Sequence, residues 1–158
     1  MNRLLVFKRA PIVILSMAIV SIDQLSKSFV TSFMKEGDSI LLIPNLLQLN
    51  LVRNYGAAFS LLKNQSMFLA FMSLIVSVLI IIYLALKPTF TKLQGLGLAF
   101  LLGGTLGNGL DRWILGYVND FLELIVIQFP VFNFADLSIN IGVICIILNN
   151  LSNPNSHS

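Results

Sequence analysis

Met67 to Leu86 reads MFLAFMSLIVSVLIIIYLAL, twenty residues without a formal charge. At 1.5 Å per residue a helix of that length crosses a hydrocarbon core of about 30 Å, and the stretch decides the solvent of the fold. The rest of the chain agrees. Of 158 residues, 56% are hydrophobic and 11% charged, against about 25% charged in ordinary soluble domains, and the mean hydropathy is +0.88. This composition excludes disorder, and a single cysteine excludes a disulfide scaffold. What remains is one integral membrane domain over residues 1–158, mainly α-helical.

Working outward, Leu93 to Leu110 is also uncharged and carries Gly95, Gly97, Gly103, Gly104 and Gly107, small residues that suit close helix contact in lipid. A first apolar run, Ala10 to Ile22, follows Arg3, Lys8 and Arg9. It has the outline of a signal peptide, but no small-residue cleavage site follows it, so it is read as an uncleaved helix. The pattern predicts four transmembrane helices over about 11–30, 67–86, 93–110 and 133–149, with 31–66 and 111–132 as outer-face loops. Ser39 to Val52 alternates apolar and polar residues near its end, which predicts a strand with one wet face at the membrane surface. Sheet backbone cannot sit bare in hydrocarbon, so this small β-rich segment belongs outside the core or under protein cover. Leu124 to Phe129, before Pro130, reads as a second strand, and Asn149 to Ser158 as a loose tail.

The net charge of +3 comes from 10 Lys+Arg against 7 Asp+Glu with no basic stripe, which argues against nucleic acid and for contact with membrane lipid. Basic residues at the amino end predict that both termini are cytoplasmic. In either orientation Asp23, Asp111 and Asp136 fall at one membrane face, and Asp120 lies in the loop joining the last two helices. Ionisable groups at that depth are site candidates. If Asp120 and Asp136 meet in a partly dry site they share a proton, the state in which one carboxylate activates water and its protonated partner supports an oxyanion. Neither metal nor cofactor is needed. Other chemistries have little to stand on, because Cys145 lies in an apolar run, His157 is isolated, and Lys27 cannot face its helix neighbours Ser26 and Ser28. Structural readings stay open at this point. Asp23 and Lys27 suit an interfacial i,i+4 ion pair, Asp111 and Arg112 a helix-end pair, Asp120 a turn cap, and Asn133 an N-cap with Asp136 in the first turn. Ion or proton translocation through clustered carboxylates also competes, as does a non-catalytic lipid-binding or assembly role.

The motifs DQLSK (Asp23–Lys27), NYGAAF (Asn54–Phe59), GNGLDR (Gly107–Arg112), VNDF (Val118–Phe121) and FNFAD (Phe132–Asp136) occur in one order from the first helix to the last. With them the chain resembles bacterial lipoprotein signal peptidase, or signal peptidase II, a family of membrane aspartyl endopeptidases. The resemblance implies that Asp120 and Asp136 are the catalytic pair. It also implies that Asp23, Lys27, Asn54, Gly56, Asn108, Asp111, Arg112, Asn133 and Ala135 hold substrate or shape the site. By the same resemblance the substrates are diacylglyceryl-modified prolipoproteins cut just before the lipidated cysteine at the outer face of the bacterial cytoplasmic membrane, with no obligate protein partner.

Overall fold

The computed structural model describes residues 7–56, 62 and 64–152. Arg3, Ala57 to Phe59 of the NYGAAF match and residues 153–158 with His157 lie outside the described residues, while Asn149 to Ser152, expected in the loose tail, instead continue the last helix. In chain order the elements are β1 (Phe7–Lys8), α1 (Arg9–Phe33), β2 (Ser39–Ile43), β3 (Leu47–Asn54), α2 (Ser66–Leu86), β4 (Thr89–Phe90), α3 (Lys92–Leu115), β5 (Val118–Leu124) and α4 (Phe134–Ser152). Mainly helical architecture with small sheets is what the sequence predicts.

Among the described residues, α1, α2 and α4 are long and apolar enough to cross a membrane. The fourth expected span, α3, falls short of that composition because glycines, Thr105, Asn108, Asp111 and Arg112 dilute it. Its place explains the dilution. α3 is the central helix, packed against by α1, α2 and α4, and its glycines let backbones approach. A Cβ on Gly103 would lie 2.9 Å from the Ser16 carbonyl oxygen, and one on Gly97 would lie 3.1 Å from that of Gly142. Helix α2, by contrast, leaves Ile75, Leu79 and Ile82 about half exposed, as a helix facing lipid would.

Helix α3 also runs farther than expected, to Leu115 rather than Leu110. Asp111 and Arg112 do not end it because both find partners across the fold, and the stop comes at Gly116. There φ is 82° and the backbone N–H donates to the Arg112 carbonyl, a left-handed cap that favours glycine.

The segment expected as one strand over Ser39–Val52 is a hairpin. Pro44 and Asn45 break it, with Asn45 at φ 58°, and β2 folds back antiparallel on β3. The strand expected at Leu124–Phe129 lies instead at Val118–Leu124, antiparallel to β3 in the order β2-β3-β5. Strand propensity at Ile125 and Val126 loses because β3 begins only at Leu47: one further bond, from the Ile125 N–H to the Leu46 carbonyl, closes the pairing and the chain turns away. The sheet seats on the helices through Val30, Met34, Leu51 and Phe121. That seating brings β5 to the first turn of α4, while a second cluster around Ile12, Ile80, Leu84 and Leu98 packs the helices elsewhere.

Candidate active site

Asp120 sits in the middle of β5, opposite Val52. Asp136 sits in the first turn of α4, whose N-cap is Asn133: Asn133 Oδ1 accepts from the Asp136 N–H at 2.9 Å, and Asp136 Oδ2 accepts from the Asn133 N–H at 3.1 Å. This reciprocal arrangement is a capping box closed by an aspartate. The capping reading of Asn133 is therefore correct, and the same residue does more. Its Nδ2 donates to Asp120 Oδ1 at 2.6 Å, so one asparagine holds the strand carboxyl by its side chain and the helix carboxyl by its backbone.

Each remaining oxygen of the pair also has a donor. Asn54 Nδ2 donates to Asp120 Oδ2 at 2.9 Å, and Asn54 is itself oriented by the Gly56 N–H, which donates to its Oδ1 at 2.9 Å. Asn108 Nδ2 donates to Asp136 Oδ1 at 2.7 Å. Both carboxyls line one cavity of about 170 Å³ with Asn54, Asn108 and Arg112. Asp120 is only 2% exposed, and burial, then the adjacent charge of Asp136, pushes its carboxyl up to about 7. Arg112 reaches the cavity while donating through Nη2 to the Gly56 carbonyl at 3.2 Å.

The other two aspartates form a separate layer behind the cavity. Lys27 Nζ donates to Asp23 Oδ2 at 2.8 Å and lies 3.2 Å from Asp111 Oδ2, with all three side chains nearly inaccessible. The expectation of an interfacial Asp23–Lys27 pair is thus corrected: the i,i+4 pair exists but is buried, because Gly107 leaves room for Asp23 against α3. Asp111 pairs with Lys27 rather than Arg112, and it accepts from Gln24 Nε2 at 2.9 Å and from the Asn119 N–H at 3.2 Å. Asp23 Oδ1 accepts the Ala135 N–H at 2.9 Å, which ties α1 to the start of α4. Asp23, Lys27, Asp111 and Ala135 therefore border the cavity only through others, whereas Asn54, Asn108 and Arg112 line it. Ser26 Oγ donates to the Asp23 carbonyl and makes no pair with Lys27.

Sequence reasoning missed Gln24 as a ligand of Asp111, although it sits inside the DQLSK match. It also missed Ile139 and Asn140, which line the cavity. The signal for these two was available, since positions three and four beyond Asp136 share its helix face. Phe129 to Phe132, the fourth wall, carried none, because this stretch returns from the turn at 125–128 and is placed by the pairing of Phe132 with Leu122.

A family model described as Signal peptidase (SPase) II matches residues 15–152. The chain belongs to this family. Relatives in it include the lipoprotein signal peptidase of Parasynechococcus marenigrum, 43% identical over 143 residues with 90% of each chain covered. That of Gloeobacter violaceus is 43% identical over 132 residues, covering 84% of this chain and 76% of its own. A solved bacterial membrane enzyme superposes with a TM-score of 0.86 at 30% identity, covering 94% of this chain and 92% of its own. As a member of the signal peptidase II family the chain is a membrane-associated hydrolase of the aspartic type.

Proposed function

We propose that the chain removes signal peptides from diacylglyceryl-modified prolipoproteins, cutting before the lipidated cysteine with Asp120 and Asp136 as the catalytic pair. Removal of prolipoprotein signal peptides follows from the family; the residue roles, the lipid requirement and the site's location are our reading. The observation that carries it is the convergence of two carboxyls, from different elements, on one cavity through the shared Asn133. Held this way in a dry site the pair retains one proton. The ionised member takes a proton from water as that water attacks the peptide carbonyl, and the protonated member donates to the developing oxyanion. The amides of Asn54, Asn108 and Asn133 fix both carboxyls without neutralising them, and Arg112 supplies positive charge at the wall for substrate oxygen atoms.

In this reading residues 1–158 are one membrane domain and α3 is a fourth span, polar because three apolar helices screen it from lipid. Both termini are then cytoplasmic and the dyad lies near the outer face, where an acylated precursor keeps its scissile bond close to water. Family membership gives no support to the ion-carrier reading. The test is cleavage of a diacylglycerylated precursor beside its unlipidated form by purified protein. Selective cutting of the lipidated form supports the proposal, and equal cutting of both would remove the lipid requirement.

A further inference from the structure

The two carboxyls of the pair are not surrounded alike. Asp120 lies on a strand, and the protein donors to its oxygens are two neutral side-chain amides, Asn54 and Asn133. Asp136 lies at the amino end of α4, accepts a backbone N–H from Asn133, and faces the positive end of the helix dipole. Its other oxygen accepts from Asn108, whose amide cannot turn round. Asn108 Oδ1 accepts from Lys27 Nζ at 3.0 Å and from Asn133 Nδ2 at 3.0 Å. An ammonium has donors and no acceptor, so only the oxygen end of Asn108 can meet it, and the NH₂ end is left aimed at Asp136. That bond strengthens when Asp136 is an anion.

The charged groups facing the pair are Asp23 and Lys27 from α1 and Asp111 and Arg112 from α3; β3 and the rest of α4 offer the neutral Asn54 and Asn140. The acidic members have partners of their own, Asp23 the Ala135 N–H and Lys27, and Asp111 Lys27, Gln24 and the Asn119 N–H.

Resting on the dyad reading above, we propose that the pair is asymmetric by construction, with the shared proton on Asp120, the charge on Asp136, and Lys27 acting through Asn108 as a positioning residue. Asp136 is then the base and Asp120 the acid. The water oxygen bonds to the carbonyl carbon, its proton passes to Asp136, and the Asp120 proton passes to the carbonyl oxygen. Collapse breaks the C–N bond, with the Asp136 proton going to the leaving amine and a hydroxyl proton returning to Asp120, so that one water is consumed.

The chain has only five aspartates, so carboxyl-labelled aspartate in the full-length protein gives an assignable NMR spectrum, with single Asn substitutions as the key. The expected titration shows Asp120 protonated and Asp136 ionised in the singly protonated state. Lys27→Met combined with Asp23→Asn keeps the charge of the buried triad constant. It should narrow the difference between the two resonances and lower kcat about tenfold with little change in KM. Asn108→Leu, which cuts the link and leaves the triad intact, should narrow it likewise should the double variant not fold. A proton found on Asp136, or an unchanged asymmetry in whichever of these variants folds, overturns the proposal. The dyad reading itself fails on a different result, an Asp120→Asn or Asp136→Asn protein that still cleaves precursor.

Discussion

Replacing Gly104 by alanine tests whether the α3–α4 spacing sets the chemistry. A Cβ at that position falls on the backbone carbonyl oxygen of Ala135 and 2.8 Å from Ile139 Cγ1. The isoleucine can shift its rotamer, but the carbonyl belongs to the first turn of α4 and cannot. Restoring van der Waals separation requires α4 to move off α3 by about 1 Å. The next residue is Asp136, held from α3 by the 2.7 Å bond from Asn108; opened by that amount it reaches about 3.7 Å and is no longer a hydrogen bond. A misplacement of about 1 Å in a catalytic group costs on the order of 10²-fold. Stability changes far less, since overpacking of about 1–3 kcal/mol is partly offset by a helix-propensity gain of about 1 kcal/mol. The assay is the initial rate of precursor cleavage per folded molecule in detergent, alongside Gly109→Ala. There the new Cβ would sit 3.2 Å from the Ser73 side chain on α2, away from the dyad, and the rate should stay within a few-fold of the parent. Parental turnover by Gly104→Ala would refute the claim that this contact sets the dyad geometry.

Asp120→Asn and Asp136→Asn should each fold and lose at least about 10³-fold in kcat, read as residual cleavage in a long incubation. Because Asp120 is raised from 3.8 to about 7, the folded state holds a proton that the unfolded chain releases above pH 3.8. The stabilisation this provides is complete below that pH and lost as pH rises through about 7. The melting temperature should therefore fall between pH 5 and 8 in the parent and change less in Asp120→Asn; parallel curves for the two proteins would contradict the assignment. Asp111→Ala strands donors from Gln24 and Asn119 and strips Lys27 of one partner, a loss of about 3 kcal/mol to be read as a lower melting temperature and poorer yield. Turnover per folded molecule should fall less than in the dyad variants.

Composition and run length made the helical membrane fold legible, because α2 needs nothing but its own twenty-odd apolar residues. Helix α3 was legible as a close-packing helix from its glycines, but its end was not. Asp111 and Arg112 look like a terminus until Lys27, Gln24 and Gly56 arrive from distant segments to satisfy them. The strands were half legible. Pairing, not propensity, selected Val118–Leu124 over Leu124–Phe129, and pairing is a property of two segments that one segment cannot display. At the site, the motifs named every residue that holds the carboxyls, yet they could not separate those lining the cavity from those behind it. The double duty of Asn133 depends on the strand and helix being adjacent.

The Asp23–Lys27 pair also bears on how the chain enters the bilayer. Lys27's other ligands, Asn108 and Asp111, lie over eighty residues downstream, roughly ten seconds of synthesis. During that interval the nascent first segment carries two opposite charges one turn apart, and the pair they form in the folded chain needs no residue from outside that segment. It can leave the translocon as a nearly neutral unit, without the full penalty of two bare ions in lipid, and exchange self-sufficiency for the shared network only when the third segment emerges.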